Sequence, residues 1–238
     1  MRDTLDLGGL RAEVTRKAIK HVHLSVLPPA GRVRVAAPEA MPLDTIRLFV
    51  VSKLGWIRSQ QRKLQAQDRE APHEFLNKES HFLWGKRYLL EISFAESPPA
   101  VSISPRKLQL QVRPGTDPAK CGQILEGWYR QQVRNALPQL LAQWEPLLQV
   151  KAARVFVQRM KTKWGSCNPA LGSIRLNTDL AKKPPECLEY IVVHELVHLV
   201  EPTHNARFSD LMDQHLPHWQ HLRKQLNRLP VRHEDWGY

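Results

Sequence analysis

The strongest constraint in this chain is His194-Glu195-Leu196-Val197-His198, followed by a third histidine at His204. Each helical residue turns about 100°, so His194 and His198 stand one turn apart and only about 40° apart around the axis. That spacing suits two ligands of one Zn²⁺, and a glutamate between them suits deprotonation of the metal's water. Glu195 lies about 100° round from His194, beside the two ligands. The pattern points to a hydrolase and first to a metallopeptidase.

His204 lies too far along for a continuing helix to bring it back to the pair. Pro202 removes the difficulty. It fits badly inside a helix and pushes Glu201 towards extended backbone. A turn at Glu201-Pro202-Thr203 then lets His204 return. Three histidines leave a fourth position for water, as a catalytic zinc site requires. The same spacing occurs in metzincins, which carry glycine where this chain has Glu201. Glu201 and Pro202 therefore favour a different branch of metalloproteases. Asp210 and Asp213 are rival third ligands, but Phe208, Leu211 and Met212 form an apolar face that turns both aspartates to solvent. Cys187 lies two turns before His194, where packing is the better reading than a fourth ligand.

The rest of the chain sets bounds. At 238 residues and 42% hydrophobic it has material for a core, as one compact domain or two small ones. No apolar run reaches the roughly 18 residues of a membrane span. The acidic start, with Asp3 and Asp6, lacks the basic-then-apolar order of a signal peptide, so a cytoplasmic protein with no membrane partner is expected. Cys121, Cys167 and Cys187 are far apart and contain no CxxC, which argues against a disulfide framework. The net charge is +12. Between Lys151 and Lys183 eight basic residues face only Asp179. Such a field favours anionic partners, nucleic acid through a basic surface among them, and it equally fits a solvated basic face.

Two textures succeed one another. Up to Pro114-Gly115 the chain reads mostly as strands. Val22–Val26 and Val33–Val35 alternate around a Pro28-Pro29-Ala30-Gly31 turn. Tyr88–Phe94, Ala100–Ser104 and Leu108–Val112 follow, and one helical stretch runs from Pro42 to about Gln67. From Pro118 to about Val150 the pattern is helical, with Pro138 and Pro146 expected to interrupt or kink it. Arg154–Gln158 and Ser173–Asn177 read as strands. Pro184-Pro185-Glu186 then opens the helix that carries the histidines. No internal repeat is visible. The expected class is α+β, with a β-rich subdomain over 1–115 and a catalytic domain over 116–238.

Several of these segments together resemble a known family. Met160-Lys161-Thr162-Lys163-Trp164-Gly165-Ser166-Cys167 leads into Ile174-Arg175-Leu176-Asn177. Leu188 to His198, His204-Asn205-Ala206-Arg207-Phe208 and Leu216-Pro217-His218-Trp219 follow. In this order they are similar to the YgjP-like metallopeptidases, relatives of the SprT-like zinc proteases. The resemblance implies His194, His198 and His204 as zinc ligands and Glu195 as catalytic base. It also implies a small gluzincin-like core, a twisted sheet whose edge strand precedes the active-site helix, behind a β-rich subdomain.

Three activities compete. The first is peptide hydrolysis, with Zn²⁺ lowering the pKa of its water to about 7 and Glu195 taking the proton. An edge strand near Trp164–Asn177 would then hold an extended polypeptide. Arg159, Lys161, Lys163 and Arg175 are candidate oxyanion donors. The second is hydrolysis of a nucleoside triphosphate, with the basic segment clamping phosphates. No Gly-rich phosphate loop supports a P-loop enzyme, since Gly8-Gly9 and Trp84-Gly85-Lys86 lack its spacing. The third is a DNA-associated protein with a structural metal. Cys167 lacks a dedicated base. His215, His218, His221 and His233 read as surface or capping residues, and Trp164 and Trp219 as packing.

Overall fold

The structure is a computed structural model that describes residues 2–27, 31–66, 70 and 73–230. The Pro28–Ala30 turn and His233 lie outside the described residues. These residues form two compact units, one up to Glu70 with Pro230 added and one from His73 to Leu229.

The first unit holds β1 (Arg2–Asp6), β2 (Arg11–Lys17), β3 (His23–Leu27) and β4 (Arg32–Pro38) in the order β1-β2-β4-β3. Alternation decides its inner face. Ala12 and Val14 on β2 and Val33, Val35 and Ala37 on β4 are all buried. The expected pairing of Val22–Val26 with Val33–Val35 is present, with Val26 opposite Val33 in antiparallel register. The helical stretch after Pro42 is two helices, α1 (Leu43–Ser52) and α2 (Leu54–Gln65). Lys53 leaves helical geometry at φ −106° and ψ 6°, and its N–H bonds back to Val50 and Val51. The break lets Ile46 and Val50 on one helix and Ile57 on the other enter the same core.

The second unit begins with β5 (Ser80–Leu83), β6 (Lys86–Phe94), β7 (Ala100–Ile103) and β8 (Lys107–Val112) in the order β5-β6-β8-β7. Two antiparallel hairpins meet through a parallel central pair, β6 on β8, as β2 meets β4 in the first sheet. The two sheets thus share a topology that the sequence does not reveal as a repeat. Pro114-Gly115 marks the passage from β8 to α3 inside this unit, and Leu90, Leu108, Leu110 and Val112 join its core.

Helix α3 runs unbroken from Pro118 to Leu148, with Pro138 and Pro146 inside it. No interruption occurs there because Val133, Leu137, Trp144 and Leu148 are buried along one side on both sides of Pro138, and that burial offsets the lost hydrogen bonds. Asp117 caps its start, accepting from the Lys120 N–H at 2.7 Å. A three-stranded sheet follows, β9 (Arg154–Gln158), β10 (Gly165–Asn168) and β11 (Ser173–Asn177), in the order β10-β11-β9. Then come α4 (Pro185–Val200), α5 (Ala206–His215) and α6 (Trp219–Arg228). The fold is mixed α+β. No helix of the described residues is long and apolar enough to cross a membrane.

Candidate metal centre

Helix α4 is built as a core helix. Pro185 occupies its first turn, where no intrahelical N–H is needed, and Glu186 sits near the positive end of the dipole. Cys187, Leu188, Tyr190 to Val193, Leu196 and Val197 are buried around nearly its whole circumference. Burying such aliphatic side chains stabilises the helix by roughly 1.5–3 kcal/mol each. His194, Glu195 and His198 are thereby fixed on an element that cannot rotate without exposing its core.

The helix stops where Pro202 predicts. Glu201 is extended, at φ −131° and ψ 100°. Its carboxylate accepts from the Thr203 N–H at 3.2 Å and hydroxyl at 2.8 Å, which closes the turn. Asn205 then caps α5, accepting from the Phe208 N–H at 3.0 Å. His204 is held between the turn and the cap. The three histidines come together, with one nitrogen from each within 4.8 Å of the others. Phe208, fully buried, places its ring 4.7–4.9 Å from all three imidazoles and forms the floor of the cluster.

The electrostatics of the cluster favour neutral nitrogen donors. Burial, then the charges of His198, His204 and Arg223, pushes His194 down to about 3. Burial, His198 and Arg223 lower His204 as well. His194 Nε2 and His204 Nε2 lie 3.1 Å apart. Two lone pairs cannot face each other there without a proton or a cation between them. A divalent ion bound by both resolves the contact. The donor set, three imidazoles in one group, fits such an ion of the first transition row.

Glu195 is buried, and its Oε2 has no hydrogen-bond partner. Burial drives its carboxyl up to about 8, against the charge of Lys163, which draws it down. Strand β10 lies directly against it. A Cβ on Gly165 would stand 2.5 Å from Glu195 Oε1 and 2.9 Å from Cγ and Cδ, so only glycine permits this approach. The loop before β10 is pinned by Asn177. Its side-chain amide donates to the carbonyls of Met160 and Lys163, each at 2.9 Å.

A sequence profile of the YgjP-like metallopeptidase domain matches residues 20–229, nearly the whole chain. The chain belongs to the YgjP-like metallopeptidase family. No curated protein matches it. Among solved structures, this YgjP-like chain is similar to the metallopeptidase zymogen of Pyrococcus abyssi abylysin. The two are 21% identical at a TM-score of 0.35, over 37% of this chain and 90% of that one. The metallopeptidase zymogen of Methanocaldococcus jannaschii jannalysin gives 19% and 0.34, over 37% and 91%.

Other sequence candidates in this YgjP-like metallopeptidase fall outside the cluster. Asp210 is exposed, and Asp213 accepts from Trp219 Nε1 at 2.7 Å. Cys187 is packed in the core. Cys167 lies beside Glu195, and burial followed by the Glu195 charge raises its thiol to about 11, unlike a nucleophile. Trp219 is buried and stacks on Tyr190 at 6.5 Å, and Tyr190 meets the His194 ring edge-on at 5.8 Å. Of the proposed cations, Lys163 acts on Glu195. Arg175 lies over Phe156. Sequence reading missed the roles of Gly165, Asn177 and Phe208. A glycine in the middle of an otherwise strand-like run was the one available signal.

Proposed function

We propose that the chain is a zinc-dependent peptidase that lays an extended polypeptide along β10 and hydrolyses it with Glu195 as general base. The observation that carries this reading is the position of β10. It is terminal in its sheet, its free edge carries backbone groups that no strand pairs among the described residues, and its first residue touches Glu195. A peptide added to that edge would form main-chain hydrogen bonds and pass the carboxylate.

His194, His198 and His204 would hold Zn²⁺, which supplies Lewis acidity and an acidified water. Glu195, raised by burial, takes the proton of the attacking water and returns it to the leaving amine. Lys163, on the loop held by Asn177, draws the Glu195 carboxyl down against the effect of burial and offers a charge to the developing oxyanion. Phosphate clamping by the basic segment is less well supported. Lys182 and Lys183 are buried, lying over the rings of Tyr129 and Trp164.

The test is a paired assay of the zinc-loaded chain on unstructured polypeptides and on a panel of nucleoside triphosphates, with Glu195→Gln as control. Cleavage of polypeptide alone is expected. Release of phosphate or pyrophosphate with intact polypeptide would replace the peptidase by a phosphoanhydride hydrolase.

A further inference from the structure

The described residues hold a second group of converging ligand atoms, formed by His73, Glu79 and His81, with no residue in common with the three-histidine cluster. It is assembled by local backbone geometry. Phe75 and Lys78 both adopt left-handed backbone, at φ 57° and 69°, and fold the segment before β5 back on itself. Glu79 is held between the folded-back segment and β6 by its backbone. Its N–H donates to the Leu76 carbonyl at 3.1 Å, and its carbonyl accepts from the Leu90 N–H at 2.8 Å. His81, two residues on and 3% exposed, therefore points to the same side of the strand as Glu79.

Both imidazoles turn a nitrogen to the same carboxylate oxygen. His73 Nδ1 is in close contact with Glu79 Oε1, and His81 Nε2 lies 3.5 Å from it. The rings stack at 4.5 Å with 16° between their planes. The other oxygen, Oε2, accepts from the Leu76 N–H at 3.1 Å, which fixes the carboxylate's orientation. Phe75 covers the group, packed so closely on α3 that a Cβ at Gly122 would stand 2.9 Å from its ring. Two stacked imidazoles sharing one oxygen would repel if both were protonated. A divalent cation takes a lone pair from each and the carboxylate charge at once, with nothing protonated.

We propose that His73, Glu79 and His81 form a second site for a divalent first-row transition ion, zinc by donor type, whose role is structural. It joins the folded-back segment to the first strand of the second unit's four-stranded sheet. Two neutral imidazoles and one oriented carboxylate make a nitrogen-rich set, unsuited to Ca²⁺ or Mg²⁺ and suited to Zn²⁺ or Co²⁺.

The experiment is metal titration of the full chain, stripped by chelator, with Co²⁺ or Zn²⁺ alone as probe. Two equivalents are expected for the wild type. The doubly substituted His194→Ala/His198→Ala chain should keep one equivalent, and its Tm should still rise with Zn²⁺. Adding His73→Gln, at a half-buried position, should remove that equivalent and the Tm response. His73→Gln alone should bind one equivalent and retain hydrolysis of whichever substrate the first site takes. One equivalent in the wild type overturns the proposal, whether or not any variant folds. So does a second equivalent that survives His73→Gln. Neither result bears on the peptidase reading, which rests on the other cluster.

Discussion

His198 donates from Nδ1 to the backbone carbonyl of Glu201 at 3.0 Å. A carbonyl only accepts, so this contact fixes the tautomer and leaves the Nε2 lone pair for a metal. The acceptor exists because Glu201 has left the helix ahead of Pro202. The residue that departs from the metzincin pattern thus orients one histidine through its carbonyl and closes the turn to another through its side chain.

Pro202→Ala should let the helix run on through Glu201. The carbonyl would then be free to enter the helical ladder, and His204 would swing away. Metal affinity should fall by about 10- to 100-fold, the usual cost of losing an orienting partner. Competition with a chromogenic chelator measures it. Unchanged affinity would mean that the turn forms without the proline.

Glu195→Gln removes the proposed base and keeps the side chain's shape. Metal content should be unchanged, while turnover should drop by roughly 10²–10⁴, the range of general acid–base catalysis. Turnover within a few-fold of wild type would assign the proton to another group.

Gly165→Ala places a methyl group 2.5 Å from Glu195 Oε1. Either β10 or the carboxylate must move. The expected result is a loss of about 1–3 kcal/mol in stability, as for overpacking, and a fall in kcat of at least about tenfold with metal content unchanged. Equal kcat in the variant and the wild type would show that the closeness of β10 to Glu195 has no part in the chemistry.

Phe208→Ala withdraws the floor under all three imidazoles. A buried phenylalanine truncated to alanine costs about 3–5 kcal/mol. Calorimetry with and without zinc separates the two effects, because added metal should recover part of the lost Tm. A variant that zinc no longer stabilises would place Phe208 in the metal affinity itself.

The sequence displays those parts of the site that depend on local spacing. Histidines four apart on a helix and a proline that ends it are short-range facts, and so are the alternating runs of β9 and β11, whose bounds agree with the structure. What stayed hidden depends on contacts between distant segments. Gly165 is a glycine because of Glu195, thirty positions on, and no local pattern records that. His73, Glu79 and His81 meet because Phe75 and Lys78, residue types that rarely signal a turn, take left-handed backbone. The prolines of α3 do not interrupt it for the same reason, since packing along a long helix overrides a local preference.

The turn between β5 and β6 reaches the start of α4. Trp84 N–H donates to the Ala181 carbonyl at 2.7 Å, Gly85 N–H to that of Lys182 at 3.3 Å, and Gly85 packs on Pro184. The helix bearing Glu195 is therefore moored at its far end by a hairpin that lies more than a hundred residues upstream of that glutamate. A fragment that begins at Pro118 gives up this tie. Cut there, it would lose its mooring and the buried Leu83, Leu90, Leu108, Leu110 and Val112 together.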